Sequence, residues 1–116
     1  MKIGFTAKGT DWDAMIDARF GRARYLIVYD DTADELKAHD NKANSEQSHG
    51  AGPGTAKKLF EMQADILITG NGPGENAANI LQRAGITVFT GAEGLNIKEA
   101  YDHYIKSKLN QFNPKR

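Results

Sequence analysis

The sequence predicts a mixed α/β domain with a five-stranded sheet, helices packed on that sheet, and elements in the order βββαβαβα. Short apolar runs such as residues 25–29 and 66–68 are rich in β-branched and aromatic side chains, which is typical of buried strands. Apolar residues at helical spacing, as in 77–84, separate the later runs. Strands that alternate with helices predict parallel pairing through right-handed crossovers.

The first half of the chain predicts three strands joined by hairpins. Alternating apolar residues indicate a strand near 2–7, and the unbroken run at 25–29 indicates a second strand. The turn-forming residues at 30–34 lead into a weakly alternating segment, 35–40, which we expect to be an edge strand antiparallel to the second. The polar segment 41–52 is predicted to be a long, mobile loop.

The second half alternates helices and strands. The predicted segments are, in order, a helix that starts near Pro53, a strand at 66–68, a helix from Pro73 to Gly85, a strand at 86–90 and a helix over 97–105. Asn96 and Glu99 have the spacing of a capping box at the start of the last helix. Residues 110–116 are expected to form a frayed tail.

Composition restricts the classes of function. The 116 residues fit one domain, 1–116, and the formal net charge of zero does not favour non-specific nucleic-acid binding. No apolar run approaches the roughly 20 residues that span a bilayer, and the opening MKIGF predicts a strand rather than a signal peptide. We therefore expect a cytoplasmic protein without a membrane partner. The absence of cysteine excludes disulfides, thiol catalysis and thiolate-bound metal.

The strand directions predict that the glycine-rich loops meet at one end of the sheet. Segments 48–54 and 70–74 each lead directly into a helix, where free main-chain N–H groups and the helix dipole favour an anion. The alternative interpretation is that these glycines only form tight turns. The presence of two converging loops, with a histidine and arginines close in sequence, favours the anion site.

Individual side chains have competing interpretations. Arg22 is a candidate partner of an anion or a surface ion-pair residue, and His49 is a candidate metal ligand or an exposed loop residue. Trp12 is a candidate lid over the site or a packing residue of the long loop 7–23. Arg19 and Arg24 are weaker candidates than Arg22.

Catalytic motifs are lacking: the sequence has no nucleophile elbow, no Walker A motif and no His-x-x-x-His pair. A ribonuclease H-type nuclease has a similar strand order but needs metal-binding carboxylates at fixed positions. Here the corresponding strands carry Gly4 and Thr6, and Ile68-Thr69-Gly70. We therefore expect a ribonuclease H-like fold that is not an enzyme.

These segments together resemble one known family. Phe20-Gly21-Arg22-Ala23 before an apolar strand, Asn41, His49-Gly50-Ala51-Gly52, and Thr69-Gly70-Asn71-Gly72-Pro73-Gly74 occur in the order and spacing of the dinitrogenase iron–molybdenum cofactor biosynthesis family. That family includes NifX, NafY, the C-terminal domain of NifB and the single-domain orange protein. The match extends over essentially the whole chain.

The resemblance implies a non-catalytic carrier of an anionic metal–sulfur cluster, either a molybdenum–copper sulfide or an iron–molybdenum cofactor precursor, bound non-covalently. We also expect a monomer whose partners are cluster donor or acceptor proteins, or an ATPase. A phosphate- or nucleotide-binding regulatory module and a protein-interaction module remain the alternatives. The expected metal ligand is His49. The expected cluster-binding residues are Lys8, Trp12, Phe20, Gly21, Arg22, Ser48, His49, Gly50, Ala51, Gly52, Gly70, Asn71, Gly72, Pro73 and Gly74.

Overall fold

The computed structural model describes residues 1–113 and contains one six-stranded mixed sheet with helices on both faces. The sheet order is β3-β2-β1-β4-β5-β6. The strands are β1 Lys2–Ala7, β2 Tyr25–Asp30, β3 Glu35–Asp40, β4 Ile66–Ile68, β5 Thr87–Thr90 and β6 Asn110–Phe112. The helices are α1 Lys42–Ser45, α2 Ala51–Glu61, α3 Glu75–Arg83 and α4 Ile97–Ile105.

The pairing directions confirm the mixed sheet. β2 pairs antiparallel with both β1 and β3, whereas β4 and β5 run parallel to β1. β3 lies at one edge, as its weak alternation predicts. The carboxyl ends of β1, β3, β4 and β5 therefore lie at one end of the sheet, together with the loops that follow them.

The predicted number of five strands is wrong, because residues 110–112 add a sixth strand, β6, antiparallel to β5. The expectation of a frayed tail over 110–116 is wrong for residues 110–112, and residues 114–116 lie outside the described residues. The local sequence Asn-Gln-Phe has no strand pattern of its own. It pairs because β5 would otherwise be an edge strand with open main-chain hydrogen-bonding groups.

Two apolar clusters hold the helices to the sheet. Alternation along the strands places Ile3 and Phe5 on the face covered by α4, and Leu26 and Leu67 on the face covered by α2 and α3.

The predicted capping box is present at the start of α4. Asn96 Oδ1 accepts from the Glu99 N–H at 2.8 Å, and Glu99 Oε1 accepts from the Asn96 N–H at 2.9 Å. In the part of the chain described here, no helix combines the length and apolar character needed to cross a bilayer.

Candidate functional site

Gly21 brings the segment before β2 into contact with the start of α2. A Cβ atom at Gly21 would lie 2.8 Å from the main-chain nitrogen of Gly52 and 3.1 Å from the carbonyl carbon of Ala51. The Thr55 hydroxyl also donates to the Gly21 carbonyl at 3.4 Å. Only glycine permits this approach of two backbones, so the contact joins two of the segments that the sequence predicts at the site.

Arg22 holds the loop that precedes α2. Its Nη1 group donates to the main-chain carbonyl oxygen of Ser45 at 2.8 Å and also to that of Gln47. Both acceptors are neutral, and among the described residues the exposed Arg22 guanidinium forms no ion pair with a carboxylate. Arg24 differs, because it donates to both carboxylate oxygens of Asp40 at 3.1 and 3.0 Å. This pairing, with a further bond from the Lys42 N–H, lowers the pKa of Asp40 to about 2.

Asn41 is a central buried residue whose side-chain role the sequence reasoning missed. Its Nδ2 group donates to the Ala23 carbonyl and to the Thr55 hydroxyl, both at 3.0 Å, and its Oδ1 accepts from Asn44 at 2.9 Å. It is 1% exposed. Asn41 therefore links the segment before β2, α1 and α2 through one amide. An asparagine directly after a predicted strand was the only local signal of this role.

The α2 start presents glycine and histidine to solvent. Gly50, the N-cap, adopts a left-handed conformation with φ of 81°, and Ser48 and His49 before it are exposed. Since the N-cap is glycine, it has no side chain to accept from the first-turn N–H groups. Within residues 1–113, no three His, Asp or Glu side chains are arranged to hold a metal ion. His49 is thus a lone candidate ligand rather than part of a protein metal site.

The loop between β4 and α3 lies against the first long loop. The Asn71 N–H donates to the Ala18 carbonyl at 2.9 Å, and a Cβ at Gly70 would lie 2.7 Å from Ala18 Cα. Gly74 is the N-cap of α3, but Glu75 follows it in the first turn. The Glu75 carboxylate opposes an anion at this helix end, whereas the first turn of α2, Ala-Gly-Pro-Gly, has no carboxylate.

The two helix starts are neighbours. A Cβ at Gly52 would lie 3.4 Å from Ala77 Cβ, so the first turns of α2 and α3 are in van der Waals range of one another. Their dipoles consequently point toward the same end of the sheet. Since the first turn of α2 lacks a carboxylate and that of α3 has Glu75, the α2 start, beside Arg22, suits an anion better.

Hydroxyl groups occupy the ends of the two central strands. The Thr6 and Thr69 hydroxyl oxygens lie 2.7 Å apart, and Thr6 also donates to the Asp17 carbonyl at 2.8 Å. The Asp17 carboxylate is 2% exposed and accepts from the Arg19 guanidinium through both oxygens, each at 3.2 Å. This network joins β1, β4 and the first loop, and it satisfies the buried polar groups locally.

Burial divides the predicted binding residues into two groups. The buried residues lack the exposed surface that a direct ligand contact needs, and they serve instead to pack the loops. The buried residues are Phe20, Ala51, Gly70 and Pro73. The residues that keep exposed or half-exposed surface at this end are Lys8, Gly21, Arg22, Ser48, His49, Gly50, Gly52, Asn71, Gly72 and Gly74.

Trp12 packs rather than covering the site. Its ring contacts Tyr29 edge-on with centroids 4.8 Å apart, and it lies 6.0 Å from the Tyr101 ring. Tyr29 is aligned with Ile3, near the end of β1 opposite the glycine-rich loops. These contacts favour the packing interpretation of Trp12 over the lid interpretation, because the loop that carries it lies beside α4, with the Lys98 N–H donating to the Trp12 carbonyl at 3.0 Å.

Comparison with known proteins gives the family. The sequence profile described as "Dinitrogenase iron-molybdenum cofactor" matches residues 1–107. The chain belongs to this family. The apo form of the orange protein from Desulfovibrio gigas is 34% identical with a TM-score of 0.91, over 99% of this chain and 96% of that chain. A protein from Thermotoga described as NifB-like and assigned to the DUF35 family is 29% identical with a TM-score of 0.82, over 99% and 98% of the two chains.

No protein of curated function matches the chain significantly. Membership of this family associates the chain with iron–molybdenum cofactor binding or biosynthesis. The family resemblance read from the sequence is confirmed, and it extends over the segments that form the glycine-rich end.

Proposed function

We propose that this protein is a non-catalytic carrier that holds an anionic metal–sulfur cluster at the start of α2. The cargo is a molybdenum–copper sulfide or an iron–molybdenum cofactor precursor. The observation that carries the proposal is the contact of Gly21 with the first turn of α2, which brings segment 20–23 and its Arg22 guanidinium beside the glycine-rich start of α2. Membership of an iron–molybdenum cofactor family supports the cargo class.

The chemistry of the donor set suits a preassembled cluster better than single metal ions. A lone metal ion needs several protein ligands, and His49 is a single candidate ligand. An anionic cluster brings its own sulfides, so it needs hydrogen-bond donors, positive charge and at most one or two protein ligands. Main-chain N–H groups at Gly50 and Gly52, the Arg22 guanidinium and the His49 imidazole supply these groups.

The exposed residues define the proposed contacts. Arg22, Gly50 and Gly52 would provide donors, His49 a metal ligand, and Asn71 and Gly74 the opposite wall. Lys8 would add positive charge at the rim. The buried residues Phe20, Ala51, Gly70 and Pro73 would support these groups without touching the cargo.

A non-catalytic role is supported by the central strand ends. Thr6 and Thr69 stand at positions where a two-metal nuclease of similar strand order would need carboxylates, and their hydroxyls bond to each other. The ribonuclease H-like assignment of the fold, the single domain over 1–116, the monomeric state, the partner proteins and the cytoplasmic location stay predictions.

The test is an anaerobic titration with tetrathiomolybdate and copper(I), followed by charge-transfer absorption and two-dimensional ¹H–¹⁵N NMR. We expect a saturable colour change with amide shifts confined to residues 20–24, 46–54 and 70–74. His49→Ala should weaken binding, whereas His103→Ala, on α4, should not. Absence of colour, or shifts spread over α4, would contradict the proposal. Shifts at the same amides with inorganic phosphate but not with thiomolybdate would instead favour the phosphate-binding module.

A further inference from the structure

Phe112 touches the glycine-rich end from outside the matched family region, which stops at residue 107. Phe112 lies in β6, aligned with Val88 of β5, and packs into the apolar cluster beneath α2 and α3. A Cβ at Gly72 would lie 2.5 Å from Phe112 Cε1 and 2.7 Å from Cδ1. The ring therefore lies directly against the Gly72 main chain, at a distance that only glycine permits.

The two halves of the 70–74 loop are held in different ways. The first half is fixed by main-chain hydrogen bonds, from the Gly91 N–H to the Gly70 carbonyl at 3.0 Å and from the Asn71 N–H to Ala18. The second half leads through Pro73, which has no N–H to donate, to Gly74, around which a Cβ would meet open space. Pro73 itself is buried, so the Phe112 ring is the contact that restrains Gly72, the exposed residue between Asn71 and Pro73.

We infer that Phe112 is a positioning residue for the cluster site, acting through Gly72 rather than touching the cargo. This inference rests on the proposed function. By holding Gly72, the ring sets the direction in which the opposite wall, Asn71 to Gly74, faces the start of α2. When a loop becomes ordered only on binding, the free-energy cost of ordering it lowers the affinity, mainly by raising the dissociation rate. The sixth strand therefore has a functional consequence beyond completing the sheet.

The variants are Phe112→Ala, which removes the ring, and Phe112→Leu, which keeps apolar volume but no aromatic ring current. Gln111→Ala is the matched control, because Gln111 is the exposed neighbour in the same strand. In the cluster-free protein, both Phe112 variants should lose the ring-current shift of the Gly72 Hα protons. In Phe112→Ala, the ¹H–¹⁵N heteronuclear NOE should fall at Gly72 and Gly74, because this part of the loop moves more freely, while the core amide of Phe5 keeps its rigid value.

The cluster titration supplies the second measurement. Phe112→Ala should weaken thiomolybdate–copper binding about tenfold, which corresponds to about 1.4 kcal/mol. Phe112→Leu should weaken it less, and Gln111→Ala should match the wild type. An unchanged heteronuclear NOE at Gly72, or a lowered one with wild-type affinity, would overturn the inference. If the wild type itself binds no cluster, the proposed function fails and the functional part of the inference with it, while the NOE data still decide whether Phe112 restrains the loop.

Discussion

Replacement of Gly21 by alanine tests the contact on which the proposed site depends. The new methyl group would lie 2.8 Å from Gly52 N and 2.9 Å from Gly52 Cα, whereas relaxed non-bonded contacts lie at about 3.5–4.0 Å. The obstructing atoms are main chain rather than the end of a flexible side chain. The first turn of α2 must therefore move by roughly 0.5–1 Å to relieve the overlap.

Overpacking of this kind costs about 1–3 kcal/mol. The cost arises from steric overlap and not from backbone strain, because Gly21 has no positive φ. The glycines that do are Gly50, Gly85, Gly91 and Gly94. We expect Gly21→Ala to lower the free energy of urea unfolding by about 1–3 kcal/mol with an unchanged m-value, and to weaken cluster binding as the α2 start shifts.

The matched control for this substitution is Gly85→Ala. Gly85 has φ of 76° but open space around a Cβ, and it ends α3 at the opposite end of the sheet. Its replacement should cost about 1–2 kcal/mol through backbone strain alone and leave cluster binding intact. The reasoning is refuted if Gly21→Ala unfolds at the wild-type urea concentration, or if both variants bind the cluster equally well once folded.

Further predictions concern Arg22, Tyr29 and Gly74. Arg22→Gln should accelerate amide exchange over residues 46–50 while changing the free energy of unfolding by no more than about 1 kcal/mol, since the lost bonds are at the surface; unchanged exchange would show that Arg22 does not restrain the loop. The Tyr29 hydroxyl donates to Asp34 at 2.8 Å, which raises the pKa of Tyr29 to about 12 from its usual 10. This contribution to stability is therefore complete below pH 10 and is lost as pH rises toward 12. In Asp34→Asn, tyrosinate absorbance should titrate nearer pH 10, and titration at the wild-type pH would contradict this cause. Gly74→Ser should raise the free energy of unfolding by a few tenths of a kcal/mol, because serine caps α3 better than glycine. It should also weaken cluster binding. Urea unfolding measures the change in stability, and the cluster titration measures the change in affinity.

The sequence alone was sufficient for features that depend on local spacing. Period-two alternation along β1 and helical spacing in α3 are intrinsic to the segments themselves, and so is the Asn96–Glu99 capping box. Strand directions then followed from the chain order and crossover handedness, which is why the sequence already predicted that the glycine-rich loops meet at one end.

The tertiary structure decided every feature whose partners are distant in sequence. Nothing in the sequence near Trp12 indicates that it packs on Tyr29. Likewise, nothing near Arg22 indicates that its guanidinium donates to carbonyl groups more than twenty residues later in the chain. β6 depends on the edge that β5 offers and on the space that Gly72 leaves for Phe112, both distant in sequence. Such contacts are determined by packing and by unpaired main-chain groups across the whole sheet, and no window of the sequence contains both partners.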